Sequence, residues 1–193
     1  QQNSGNKSMR LDTLETFIVG TPPPGHGGRY FIFVRLTTAC GITGIGEIYS
    51  ASFAPEVVCR MAEDMFARYL EGSAPDRIEH FWRQAHGSGF THRPDTSVQG
   101  VVSGLEMACW DIIGKALDRP VYALLGGLVN ERLRTYTYLY PPEAVDPADF
   151  YNDPHANAEV AAARVAEGFS AVKFDPAGQY TVYDGRMPDL EAI

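Results

Sequence analysis

The chain has 193 residues, 45% hydrophobic and 21% charged, with a formal net charge of −8 at pH 7, the make-up of a globular protein large enough for one domain or a small domain plus part of another. That acidic balance, with no cluster of Lys and Arg, argues against a nucleic-acid or anionic-membrane surface, and no apolar run reaches the roughly 18 residues that span a bilayer. Cys40, Cys59 and Cys109 are odd in number and form no CxxC pair, which fits buried thiols in a reducing cytoplasm rather than a disulfide framework or a zinc site.

Residues 1–8 (QQNSGNKS) are polar and aperiodic and read as a tag remnant or a disordered tail, with Met9 as a natural start. No secretory signal pattern follows, so a cytoplasmic location is expected. Residues 10–19 suit a first strand, and residues 20–28 (GTPPPGHGG) a loop that is stiff at its prolines and free at its glycines. That build suits a lid or a long hairpin connection. Residues 30–38 (YFIFVRLTT) form a strong second strand, Gly41 marks a turn, and residues 45–49 complete an antiparallel meander in which Glu47 faces water.

Helical spacing then takes over. Residues 55–70 carry an apolar stripe of Val58, Met61, Met65, Phe66 and Tyr69, and residues 75–85 a second one of Ile78, Phe81 and Trp82. His86 and His92 read as surface loop residues, since no acidic or histidine partner stands at ligand spacing. The longest helix covers residues 97–117, with a capping box of Thr96 and Gln99 and a core stripe of Val101, Leu105, Ala108, Ile112 and Ala116. Asp111 and Lys115 form an i, i+4 pair of favourable order.

Residues 133–140 (LRTYTYLY) read as a strand with Tyr136, Tyr138 and Tyr140 on one face, a ladder that suits a core or a polar pocket. Residues 141–154 read as a long loop, and residues 157–167 as a helix that Gly168 terminates. Residues 168–176 (GFSAVKFDP) read as a short buried strand. Ala171, Lys173 and Asp175 share one face there, Val172 and Phe174 the other. Lys173 and Asp175 stand at its C-terminal end, where parallel α/β proteins gather ligands and catalysis.

Residues 103–127, SGLEMACWDIIGKALDRPVYALLGG, carry a more specific pattern. With Glu106, Ala108, Asp111, Gly114, Lys115, Pro120, Leu124, Leu125 and Gly126 at fixed spacings, the stretch resembles the signature of the mandelate racemase/muconate lactonising branch of the enolase superfamily. Val101 departs from the alanine usual there. The resemblance runs from Met9 onward. It implies an α+β capping domain over residues 9–131, a three-stranded antiparallel meander plus helices. Residues 132–193 would then form the first two strands of a (β/α)7β modified TIM barrel. A barrel of ~250 residues plus a cap implies a whole protein about twice this length.

By the same resemblance the loop at residues 20–28 reaches over the barrel mouth, which makes His26 a candidate substrate contact, and Tyr136 and Tyr138, facing the barrel interior if the register holds, are further candidates. Lys173 fits the first position of the family's Lys-x-Lys motif, a cation for the substrate carboxylate and the nascent enediolate. Asp175 stands where many relatives carry the second lysine, a base in racemases, and this departure points away from lysine-based racemisation. Magnesium is the implied cofactor, with its three acidic ligands on the third, fourth and fifth barrel strands and none in this chain. Such concentrated positive charge is what the enediolate dianion requires, because the α-proton of a carboxylate is very weakly acidic.

The resemblance therefore implies a magnesium-dependent lyase, an acid-sugar dehydratase in which a histidine takes the proton, with the 193-residue piece inactive alone. A racemase, epimerase or cycloisomerase sharing the enediolate step is the alternative, and a non-catalytic scaffold a further one. A small carboxylate substrate and a homo-oligomer are the expected partners.

Overall fold

The computed structural model describes residues 9–22, 30–49, 54–87 and 95–174. The chain divides into two compact units, Gln1–Leu128 and Val129–Ile193. His26, Asp175 and His92 lie outside the described residues.

In the first unit, β1 (Leu11–Gly20), β2 (Tyr30–Thr38) and β3 (Thr43–Ile48) form an antiparallel sheet in the order β1-β2-β3. Strict alternation in β2 buries Ile32, Val34, Leu36 and Thr38 and leaves Phe31, Phe33, Arg35 and Thr37 on the outer face. Phe33 stands between Phe17 and Glu47 on its neighbours, so Glu47 points outward, as its exposure confirms. The turn into β3 uses Gly41 at φ +93° and is pinned by the Thr38 hydroxyl, which accepts from the Ile42 amide at 2.9 Å.

Three helices, α1 (Pro55–Met65), α2 (Ile78–Gly87) and α3 (Thr96–Leu117), bury their apolar stripes in one core, α1 and α3 on the inner face of the sheet and α2 against α3. The stripe expected over residues 55–70 is present, but the helix widens into a π-helical turn at Phe66–Leu70, and the Glu71 amide bonds the Phe66 carbonyl at 2.9 Å. The cap of α3 differs from the expected Thr96/Gln99 box. Asp95 is the N-cap, and its Oδ1 accepts from the Ser97 and Val98 amides at 2.9 and 3.1 Å. A charged carboxylate at the helix's positive end outcompetes the neighbouring threonine hydroxyl, and the Gln99 amide instead meets His86 Nδ1 at 3.1 Å.

The seam between α3 and β3 depends on the absence of side chains. A Cβ on Gly44 would overlap the Ala108 carbonyl oxygen, and one on Gly46 the Gly104 carbonyl oxygen. Beside this seam, Asp111 Oδ2 accepts from the Ile45 amide at 2.9 Å and from Lys115 Nζ at 2.8 Å, while Lys115 also reaches the Thr43 carbonyl at 2.8 Å. The i, i+4 pair is thus a clip that ties the long helix to the last strand. Asp118 ends α3 in the left-handed region at φ +50°, and the short α4 (Val121–Leu124) follows. Gly114 has no room for a Cβ, which would lie 2.8 Å from the Arg119 carbonyl oxygen.

The second unit opens a partial barrel. β4 (Thr137–Tyr138) and β5 (Val172–Lys173) pair in parallel, joined through α5 (Pro147–Asn152) and α6 (Pro154–Ala166). The strand expected over residues 133–140 narrows to two residues, because strand extent follows the partner's pairing rather than local propensity. Residues 141–154, read as a loop, contain α5. Asp146 caps it, its Oδ1 accepting from the Ala148 amide at 2.8 Å, with Pro147 at the first helical position. Pro and Asp were helix-start signals there rather than loop signals. α6 begins three residues earlier than the spacing predicts, since Asp153 caps it through the His155 and Ala156 amides. Gly168 stops it at φ +103°, as expected. Leu139 and Phe150 are buried, whereas Phe174, which follows β5, is 47% exposed; within β5, Val172 is half-buried. No helix among the described residues is long and apolar enough to cross a membrane.

Candidate active-site strand pair

The register of β4 and β5 decides which side chains meet. Thr137 lies beside Val172 and Tyr138 beside Lys173. The Thr137 amide donates to the Ala171 carbonyl at 3.3 Å, and the Leu139 amide to the Lys173 carbonyl at 2.8 Å. At the entry to the pair, Arg134 grips the other strand. Its Nε donates to the Ser170 hydroxyl at 3.0 Å and its terminal nitrogen to the Ser170 carbonyl at 2.7 Å. This clamp was not legible in the sequence. Its partners are 36 residues apart, and neither carries a local motif.

Tyr136, just before β4, and Tyr138 within it are two residues apart and share a face, and the parallel register brings Lys173 to that face. Lys173 Nζ lies 6.0 Å from the Tyr136 ring centroid and 5.8 Å from that of Tyr138, within reach of the ring quadrupoles. The Tyr138 and Tyr140 rings are 4.8 Å apart. The structure thus brings together three of the five candidate residues: Lys173, Tyr136 and Tyr138. The assembly offers a cation at the C-terminal end of a parallel strand, suited to an anionic group.

Other chemistry-bearing residues serve the fold. His86 stacks on Trp82 with ring centroids 4.8 Å apart and pairs with Gln99. Burial pushes the Cys109 thiol up to about 12, with the nearby Glu106 adding to it, and burial raises Cys59 as well. Among the described residues, no three His, Cys, Asp or Glu side chains gather in a way that could hold a metal ion.

The mandelate racemase/muconate lactonizing enzyme N-terminal domain matches residues 25–126, more than half of the chain. The chain belongs to this family. A solved structure from Labrenzia alexandrii DFL-11, assigned to the same family, is 62% identical with a TM-score of 0.86, over 95% of this chain and 48% of that one. A D-galactonate dehydratase of Xanthomonas campestris pv. campestris (strain B100) is 38% identical over 131 residues, 68% of this chain and 31% of that protein. An enolase from Agrobacterium radiobacter, solved with bound Na and L-malate, is 25% identical with a TM-score of 0.67, over 87% of this chain and 38% of that one. The chain therefore spans about half the length of the solved relative from Labrenzia and about a third of the curated dehydratase. Of the residues that carry the family resemblance, Ala108, Asp111, Gly114 and Lys115 lie at the α3–β3 seam and the end of α3 rather than at the strand pair.

Proposed function

We propose that the whole protein is an acid-sugar dehydratase and that Lys173 is the cation beside the substrate carboxylate. The observation that carries this reading is the Lys173 ammonium at the C-terminal end of β5, flanked by the Tyr136 and Tyr138 rings. It is supported by the similarity to a D-galactonate dehydratase and by Asp175 at the position where a second lysine would serve a racemase.

In this reading a histidine on a later barrel strand removes the proton at C2. The electron pair of the C–H bond moves into the carboxylate to give an enediolate, and the charged Lys173 stabilises the added negative charge. The enediolate then forms the C2=C3 double bond as the C3–O bond breaks, the hydroxyl leaving with a proton as water. The resulting enol tautomerises to a 2-keto-3-deoxy acid. Tyr136 and Tyr138 face the substrate, Asp175 meets a substrate hydroxyl or Lys173, and His26 contacts the substrate from the loop at residues 20–28. The reading includes a magnesium ion held by later barrel strands, as the family resemblance implies. The proposed setting is cytoplasmic and the assembly a homo-oligomer.

The test is product identity. The whole protein, supplied with magnesium and a panel of acid sugars that begins with D-galactonate, is expected to form a 2-keto-3-deoxy acid with loss of water. Epimerisation at C2 without loss of water would contradict the proposal.

A further inference from the structure

We propose that Tyr136 and Tyr138 are positioning residues that hold the Lys173 ammonium by their ring faces, a role separate from any hydroxyl contact with substrate. The inference rests on the reading of Lys173 as the site cation. A lysine stem has four rotatable bonds, so register alone fixes where the side chain starts and not where its charge ends. The ammonium nevertheless lies within 6.0 Å of two ring centroids, where the negative face of each ring attracts a cation. Among the described residues Lys173 makes no ion pair.

The surrounding structure aims the rings at that point. Tyr138 is the register neighbour of Lys173, and Tyr136 precedes it by two residues on the same face. The Arg134 clamp on Ser170 fixes the register from the other end of the strands. Tyr140 packs against Tyr138 at 4.8 Å. The attraction is to the ring faces, so phenylalanine keeps it and leucine does not.

Two double variants of the whole protein separate the roles: Tyr136→Phe with Tyr138→Phe, and Tyr136→Leu with Tyr138→Leu. The Phe pair keeps both ring faces and is expected to retain more turnover than the Leu pair. The Leu pair is expected to lose about tenfold in kcat, at the strength of two cation–π contacts near the surface. The second readout is the Hε resonance of Lys173 in lysine-labelled protein, assigned as the signal lost in Lys173→Arg. Ring-current shielding should persist in the Phe pair and disappear in the Leu pair, moving the resonance downfield. Equal losses in both pairs would show that the hydroxyls matter and would overturn the positioning role, as would an unmoved Lys173 resonance in the Leu pair. Full turnover by Lys173→Met would instead overturn the reading of Lys173 as the site cation, and the positioning role with it.

Discussion

Gly46 on β3 and Gly104 on α3 touch backbone to backbone, so closely that a Cβ on Gly46 would overlap the Gly104 carbonyl oxygen. Neither partner can yield cheaply, because one is a sheet strand and the other a helix turn flanked by the buried Val102 and Leu105. Gly46→Ala should therefore destabilise the protein by about 3 kcal/mol, the upper end of overpacking. Gly20, where a Cβ meets nothing within 4 Å, is the control, and alanine there should change stability by less than about 1 kcal/mol. Urea denaturation of both variants checks the contrast.

The Cys109 thiol gives the fold a pH dependence of known sign. Its ordinary value is 9.0, and burial, with Glu106 adding, pushes it up to about 12 in the folded chain. Between these two values the folded state holds a proton that the unfolded state has lost. The stabilisation is complete below pH 9.0 and disappears as pH rises toward about 12. Stability measured from pH 8 upward should fall more steeply in wild type than in Cys109→Ala, by on the order of a few kcal/mol across the window. Cys59, also raised by burial, acts in the same direction and is common to both proteins. Parallel pH curves for the two would contradict this account.

At the end of α3, Asp118 occupies the left-handed region at φ +50° although it has a Cβ. Glycine adopts that conformation without the steric cost, which is about 1 kcal/mol for an ordinary residue. Asp118→Gly should raise stability by up to about 1 kcal/mol, seen as a higher urea midpoint with an unchanged slope. A lower midpoint would mean that the aspartate side chain contributes more than its backbone conformation costs.

Local pattern and topology differ in how far each could be read ahead. The strand at residues 30–38 and the stripe from Val101 to Ile112 depend only on local pattern; the strand forms as read and the stripe faces the core as read. The π-helical turn at Phe66–Leu70 and the helix begun by Asp146 and Pro147 depend on choices that periodicity does not resolve. In the second case the same residue types start helices and loops alike. Residues 133–140 have the strand propensity throughout, yet only Thr137 and Tyr138 find a paired neighbour. In the site, period-two spacing was enough to put Tyr136 and Tyr138 on one face. Their meeting with Lys173 follows from a register set partly by Arg134 and Ser170, a contact across 36 residues with no local signature.

The most direct test of the central claim is the turnover of Lys173→Ala in the whole protein, with acid sugar and magnesium saturating and folding checked by circular dichroism. Removing the one cation assigned to the enediolate should cost at least about a hundredfold in kcat, as for loss of a single preorganised charge-stabilising donor. The circular dichroism spectrum should be unchanged, because the substitution leaves the backbone pairing of β4 and β5 in place. Near-wild-type turnover by a folded Lys173→Ala protein would contradict the assignment.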